Sequence, residues 1–301
     1  MTAPRSFTWL ITGASSGKGK SLAIEALKSG ARVVGTNRDI DKGEMSFPEF
    51  VKRGEIWITL DPAHKDAFEI FSRCATEHNI DVLINNADYT MIGGVEDTSE
   101  DEVREQMEVN FYGPLRAVRA CLLVIRPKGS GHLVLISSGA GFIARPARSS
   151  YSASQFAIDA VYESLSHELK TSGIRVLIAE QGAFRTPFAS SIRTPAQYQV
   201  SNGFSEAYKC TAIEQMVNGT VTILFFPDFV KGDCDKAARA LANAVIGGQD
   251  YLRMPLEPDC VTTLEDNIRQ LQEDLDATRS IATGTNLVDE FNRTKIWVLT
   301  G

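Results

Sequence analysis

Thr8-Trp9-Leu10-Ile11-Thr12-Gly13-Ala14-Ser15-Ser16-Gly17-Lys18-Gly19 sets a short apolar, β-branched run directly against three glycines. Residues 21–29 then repeat apolar side chains at helical spacing, with Leu22, Ala23, Ala26 and Leu27 on one side. The order is strand, glycine-rich turn, helix. Glycines let the backbone turn tightly and approach a phosphate, and the helix N-terminus adds unpaired N–H groups and a positive dipole end. The spacing is Gly-x3-Gly-x-Gly rather than Gly-x-Gly-x2-Gly. Surface turns also use glycine. The flanking strand and helix favour a nucleotide site, with Gly13, Ser15, Gly17, Lys18 and Gly19 as its candidate residues.

Outward from that unit the same alternation continues. Apolar runs at 32–36, 56–60, 81–85, 132–136 and 174–179 read as strands, and 251–254 as a last one. Helical patterns fall at 67–75, 99–125, 151–170, 235–246 and 264–282, while 44–52 is weakly patterned. Ser99 with Glu102 forms a capping box for the long second pattern, which is expected to bend near Gly113-Pro114. Strands alternating with helices imply a parallel sheet with right-handed crossovers, and near-continuous apolar strands fit a sheet covered on both faces. The expectation is a Rossmann-type, doubly wound α/β fold in a single domain over 1–301. Residues 183–232, rich in prolines, serines and aromatics, read as irregular, and 264–301 as a final helix and tail. Ligands of such sheets lie beyond the carboxyl ends of the strands. Residues 12–19, 36–38, 61, 85–88, 137–138 and 180–186 should gather there.

Composition narrows the function. A chain of 301 residues with 43% hydrophobic content has material for a sizeable core. A net charge of −7 argues against a general nucleic-acid binder. No apolar stretch is long enough to span a bilayer, and a strand starts too early to leave room for a signal peptide. Five scattered cysteines without paired spacing read as reduced thiols, so a cytoplasmic protein is expected. The four histidines lack metal-ligand spacing, and no metal is expected.

Several ordered signals coincide: Thr12-Gly13-x3-Gly17-x-Gly19, Asn85-Asn86-Ala87, Asn110, Ser138 and Tyr151. Together they resemble the short-chain dehydrogenase/reductase family, NAD(P)-dependent enzymes on a Rossmann-type sheet. The resemblance covers about residues 6 to 280. It implies an Asn–Ser–Tyr–Lys tetrad, matched by Asn110, Ser138 and Tyr151, but Gln155 stands where the lysine belongs. It also implies cofactor contacts at Asn86, at Asp61 for the adenine and at Thr186 for the carboxamide. Arg38, after the second strand, is placed for the 2′-phosphate of NADP(H). Three further departures are Lys18 for a branched aliphatic, Asp88 for glycine and Gln181 for proline. By family geometry they crowd toward the nicotinamide half of the cofactor, where Lys18 and Asp88 could pair. One inactivating change at position 155 would not account for the other three.

Carbonyl reduction needs a hydride on carbon and a proton on oxygen. Tyrosine can give the proton and serine can polarise the carbonyl. Tyrosine ordinarily titrates near 10, and a neighbouring ammonium lowers that value. Gln155 can hydrogen-bond a ribose but carries no charge. Oxidation, which needs the phenolate, should therefore suffer more than reduction. The leading expectation is an NADP(H)-dependent reductase of a bulky, largely apolar carbonyl compound. Tyr151 is the proton donor and Ser138 the clamp, Asn110 holds a water or the bent helix, and Gln155 is a weak ribose ligand. One alternative is a non-redox isomerase, dehydratase or cyclase using Tyr151 and Ser138. Another is a non-catalytic NADP(H) sensor or scaffold. The resemblance also implies a homodimer or homotetramer, and a substrate lid over 183–232, some of whose aromatics (Phe184, Phe188, Tyr198, Phe204, Tyr208, Phe225, Phe226) line a roomy apolar pocket.

Overall fold

The computed structural model describes residues 6–184, 192–200, 203–223 and 230–285. Its centre is a parallel sheet of β1 (Thr8–Ile11), β2 (Arg32–Asn37), β3 (Ile56–Thr59), β4 (Val82–Asn85), β6 (Gly131–Ser138), β7 (Ile174–Gln181) and β9 (Arg253–Leu256). A separate two-stranded parallel pair joins β5 (Thr90–Met91) to β8 (Ile192–Arg193). The large sheet runs in the order β3-β2-β1-β4-β6-β7-β9. The chain moves from β1 outward to β3, then returns to place β4 on the other side of β1. That reversal opens a crevice at the carboxyl ends of β1 and β4.

Successive strand residues point to opposite faces, and each face has its own core. Leu10, Leu83, Leu133 and Ile178 pack beneath α4 (Ala67–His78), α6 (Gly113–Lys128) and α7 (Ser149–Glu168), meeting Phe71, Val118 and Tyr162. Trp9, Ile11, Ile84 and Val134 pack on the other face beneath α1 (Gly17–Lys28) and α10 (Cys234–Gly247), meeting Leu22, Leu241 and Val245. The expected doubly wound single domain is what the structure has.

The differences are local. Helix α1 begins at Gly17, because the glycine turn itself winds into the first helical turn. The weakly patterned 44–52 stretch contributes to α2 (Ile40–Ser46) and α3 (Pro48–Lys52), too short for periodicity to show. The last strand lies two residues later than its pattern suggests. The Ser99/Glu102 capping box opens α5 (Glu100–Met107) as expected. The bend before α6 is a π-helical turn, Glu108–Tyr112, rather than a break at Gly113-Pro114. Within the lid lie α8 (Ala196–Val200) and α9 (Ala212–Ile223). The final helix, α11 (Pro258–Thr283), buries only Cys260 and Leu264. Among the described residues no helix is long and apolar enough to cross a membrane, and no cluster suits a metal ion.

At the sheet end remote from the crevice, Asp81 locks β1 to α6. One carboxylate oxygen accepts the Thr8 N–H at 3.0 Å, and the other meets Lys128 Nζ at 2.9 Å. Both side chains are largely buried. Removing one partner leaves an uncompensated buried charge, so Asp81→Ala should cost about 3 kcal/mol in urea unfolding. A loss below about 1 kcal/mol, the range of an exposed pair, would contradict this account.

Candidate active site

The glycine turn is held by two residues from neighbouring strands. Thr12 Oγ1 accepts the N–H groups of Asn86 at 2.8 Å and Ala87 at 2.9 Å. Asn86 Nδ2 returns bonds to the carbonyls of Thr12 at 2.9 Å and Gly13 at 3.3 Å. Gly17 has a φ of 50°, a left-handed conformation that favours glycine. A Cβ on Gly19 would stand 2.3 Å from the Gly13 carbonyl oxygen, so only glycine lets α1 start this close. The first turn of α1 has no side-chain cap and no acidic residue. Its N–H groups are therefore available to an anion, which suits a dinucleotide pyrophosphate. Ser15, on the rim of this turn, gives its carbonyl to Ser46 at 2.8 Å.

Around that turn the other expected residues take up different duties. Arg38 is exposed just after β2 and forms no hydrogen bond or ion pair with the described residues. The adjacent Asp39 is spent capping α2 through Lys42 N–H at 3.1 Å. A cation at the strand end without a competing free carboxylate suits a 2′-phosphate. Asp61 is exposed after β3 and accepts the Ala63 N–H at 3.0 Å. Thr186, and Phe188, Phe225 and Phe226 of the lid, lie outside the described residues.

Beyond the ends of β6 and β7 lies a cavity of about 380 Å³. Ser138 and Tyr151 both line it, as do Lys18, Asp88 and Gln181. Tyr151 sits in the first turn of α7, with Gln155 one turn further on the same face. Burial pushes the Tyr151 hydroxyl well above the ordinary tyrosine value, and the negative charge of Asp88 adds to the rise. Polar contacts from Ser138 and Gln155 and the charge of Arg148 pull it back only in part. Asp88 is itself raised by burial, against the lowering influence of Lys18. Lys18 and Asp88 thus act on one another, as their positions in the sequence allowed.

Asn110 is fully employed in the protein. Its amide accepts the Tyr89 N–H at 3.3 Å and donates to the Tyr89 carbonyl at 2.9 Å and to Ser154 Oγ at 3.3 Å. These bonds tie the bent helix to Tyr89 and to α7. Asn85 is likewise structural, donating to the Pro114 carbonyl at 3.0 Å and to the Tyr162 hydroxyl at 2.9 Å. Among the described lid aromatics, Phe184 lines the cavity. Tyr198 and Phe204 instead stack on each other at 4.3 Å within a satellite cluster around Ile92 and Val217. Tyr198 and Tyr208 also accept N–H groups of Gly94 and Glu96, at 2.9 and 3.3 Å. These tyrosines pin the lid to the 92–96 loop.

Sequence reasoning passed over two groups. Arg145 and Arg148 line the cavity just ahead of Tyr151. Their only signal in the chain is that short interval before the tyrosine. The second group lies behind Ser138. Arg253 on β9 contacts Glu180 and Glu163 and stands 3.5 Å from Asp159 of α7. Burial pushes Asp159 up to about 7, while Ser137 and Arg253 offset this only in part. The network braces α7 against the end of β7, where Gln181 begins.

Comparison with known proteins agrees with this architecture. A family description, short chain dehydrogenase, matches residues 8–197. An oxidoreductase of Passalora fulva, claN, is 40% identical over 192 residues, covering 64% of this chain and 88% of that protein. A short-chain dehydrogenase of Streptomyces avermitilis superposes with a TM-score of 0.83 at 30% identity, covering 95% of this chain and all of the other. A metagenomic short-chain oxidoreductase solved in complex with NADP superposes with a TM-score of 0.54 at 29% identity, over 60% of this chain and 83% of its own.

The raised Asp159 carboxyl makes stability depend on pH. Between about pH 4 and 7 the folded chain keeps a proton on Asp159 that the unfolded chain has lost. Stability relative to an Asp159→Asn variant should therefore fall as pH rises through that window and level off above it. Urea unfolding of both proteins from pH 4.5 to 8 measures the difference. A difference that stays constant, or grows with pH, would contradict the assignment.

Proposed function

We propose a reaction for this chain, which belongs to the short-chain dehydrogenase family and is an oxidoreductase: NADPH-dependent reduction of a carbonyl on a bulky, largely apolar small molecule. The observation that carries the proposal is the meeting of Ser138 and a protonated, buried Tyr151 on one wall of the cavity. A bound nicotinamide cofactor supplies the hydride. The open first turn of α1 would hold its pyrophosphate, Arg38 its 2′-phosphate, and Asp61 and Asn86 the approaches to the adenine and the turn. Thr186 is carried as a carboxamide contact by family resemblance alone.

The chain's own residues handle the proton. Ser138 polarises the carbonyl oxygen, and Tyr151 hands it a proton. Gln155 fills the place of the family lysine and offers a hydrogen bond without charge. With Asp88 raising Tyr151 further, the phenolate is disfavoured and the protonated form is kept across neutral pH. Such a site is biased toward reduction and poor at oxidation. The relatives give no support to isomerase, dehydratase or cyclase chemistry, and nothing in the cavity favours a purely sensing role over catalysis. Five free cysteines suit a reducing compartment such as the cytoplasm.

The reduction reading predicts deuterium transfer from C4-labelled NADPH into product across a panel of aryl ketones. Tyr151→Phe should lower kcat by about 10² or more. Gln155→Lys should raise the alcohol-oxidation rate more than the ketone-reduction rate. No transfer with either the wild-type protein or Gln155→Lys would overturn it.

We also propose that the protein pairs with a second copy of itself through α11. Val261, Leu264, Ile268, Leu271 and Leu275 recur at alternating three- and four-residue steps, and all but Leu264 are exposed. That is the seam of a two-helix pairing, and Asp274 and Arg279 flank it at the spacing that matches opposite charges across two parallel helices. Light scattering of the full chain should report a dimer that Leu271→Lys converts to a monomer. A wild-type monomer would mean that the seam is covered within the chain itself, or by nothing.

A further inference from the structure

Arg148 is a cation that nothing in the described protein answers. It stands at the N-cap of α7 and caps no backbone group. Its Nε is buried and has no hydrogen-bond partner. Burial lowers its pKa, and the titratable neighbours that act on it are Tyr151, which offsets this in part, and another cation, Arg145, which adds to it. The acids on the cavity wall are otherwise engaged. Asp88 faces the charge of Lys18. Asp259 accepts the N–H groups of Cys260 at 2.9 Å and Ala183 at 3.3 Å. Arg145, exposed at the cavity lining, is held by Thr263 Oγ1 at 2.9 Å and adds a second positive charge.

Two buried hydroxyls also line the cavity. Ser152 is 2% exposed and Thr90 3%, and neither side-chain oxygen has a partner. Ser152 lies one helical turn beyond Arg148, whose carbonyl accepts its N–H at 2.8 Å. Unmet donors of this kind are costly in a folded protein unless a ligand satisfies them. A guanidinium with hydroxyl donors nearby is the set that recognises a planar oxyanion, and arginine does so with a two-pronged hydrogen-bond geometry.

We infer that the substrate is an anion: an apolar ketone carrying a carboxylate, which seats on Arg148 with Ser152 and Thr90. Ile92, Phe184 and Ile192 offer the apolar side of the same cavity. The carboxylate anchors one end of the molecule and leaves the ketone to Tyr151 and Ser138. The position of the ketone rests on the reductive reading above, whereas the seat for the carboxylate does not.

The test is equilibrium binding to the NADP⁺-saturated full chain by calorimetry, using 6-acetyl-2-naphthoate and its methyl ester. The acid should bind about tenfold tighter than the ester or better, as a charge-assisted contact requires. Arg148→Met should erase that preference while leaving the ester within about threefold, and Arg148→Lys should restore part of it. Ser152→Ala, which removes a single oxygen, should weaken the acid and not the ester. Equal binding of acid and ester, undetectable binding of both, or an acid affinity unchanged in Arg148→Met would overturn the proposal. Tight acid binding without turnover by NADPH would support the anion seat and count against reduction. Turnover of the ester with no preference for the acid would do the reverse.

Discussion

The side chain and carbonyl of Thr12 join the two halves of the site. Through them the glycine turn after β1 is fastened to Asn86 and Ala87 at the end of β4. That clasp fixes where α1 begins, because Gly19 must pass within van der Waals limits of the Gly13 carbonyl. Directly after the clasp stands Asp88, and then Tyr89, whose backbone N–H and carbonyl are both bonded to Asn110. Asn110 reaches Ser154 on α7, and Ser154 donates to the carbonyl of Tyr151 at 2.7 Å. Hydrogen bonds and the short 87–89 stretch of chain therefore connect the glycine turn to the backbone of Tyr151. The bonds of Asn110 and Ser154 are buried, so a slack link there would leave an unmet polar group. The geometry of the reacting groups inherits its rigidity from that series.

Electrostatics then determines what the rigid site can do. An ammonium close to a buried tyrosine would offset its desolvation. Here the neighbour on the same helical face is Gln155, and the nearby charges are Asp88, which opposes ionisation, and Arg148, which favours it. Burial dominates, and Tyr151 keeps its proton. Lys18 places a positive charge in the cavity, but part of its influence falls on Asp88. Polar and apolar side chains thus line one cavity. Such a cavity fits a molecule with an apolar body and a few oxygen functions.

Much of this was legible from local pattern. The glycine turn, the alternation of strands and helices and the Ser99/Glu102 cap all depend on residues a few positions apart, and the structure has them. Ser138, Tyr151 and Gln155 could be placed by their intervals along β6 and α7. The rest depends on tertiary packing. The π-helical turn at Glu108–Tyr112 leaves no periodic trace because it shifts the helical register once. The bracing of Asp159, Glu180 and Arg253 joins elements distant in the chain, and only the sheet order brings them together. Arg148 carries no local signal, and its lack of an acidic partner among the described residues is a property of the folded cavity. The lid aromatics read as pocket lining, yet the tyrosines had N–H groups of the 92–96 loop to meet.

A reductase of this family must still recognise the nicotinamide half of its cofactor although Gln155 carries no charge. Calorimetric titration with NADPH and, separately, with 2′-phosphoadenosine 5′-phosphate tests it most directly. NADPH should bind about tenfold tighter than the fragment or better, since the cavity groups around Tyr151 then contribute contacts of their own. Equal affinity for the two would mean that only the adenosine end is held, and would contradict a reductase.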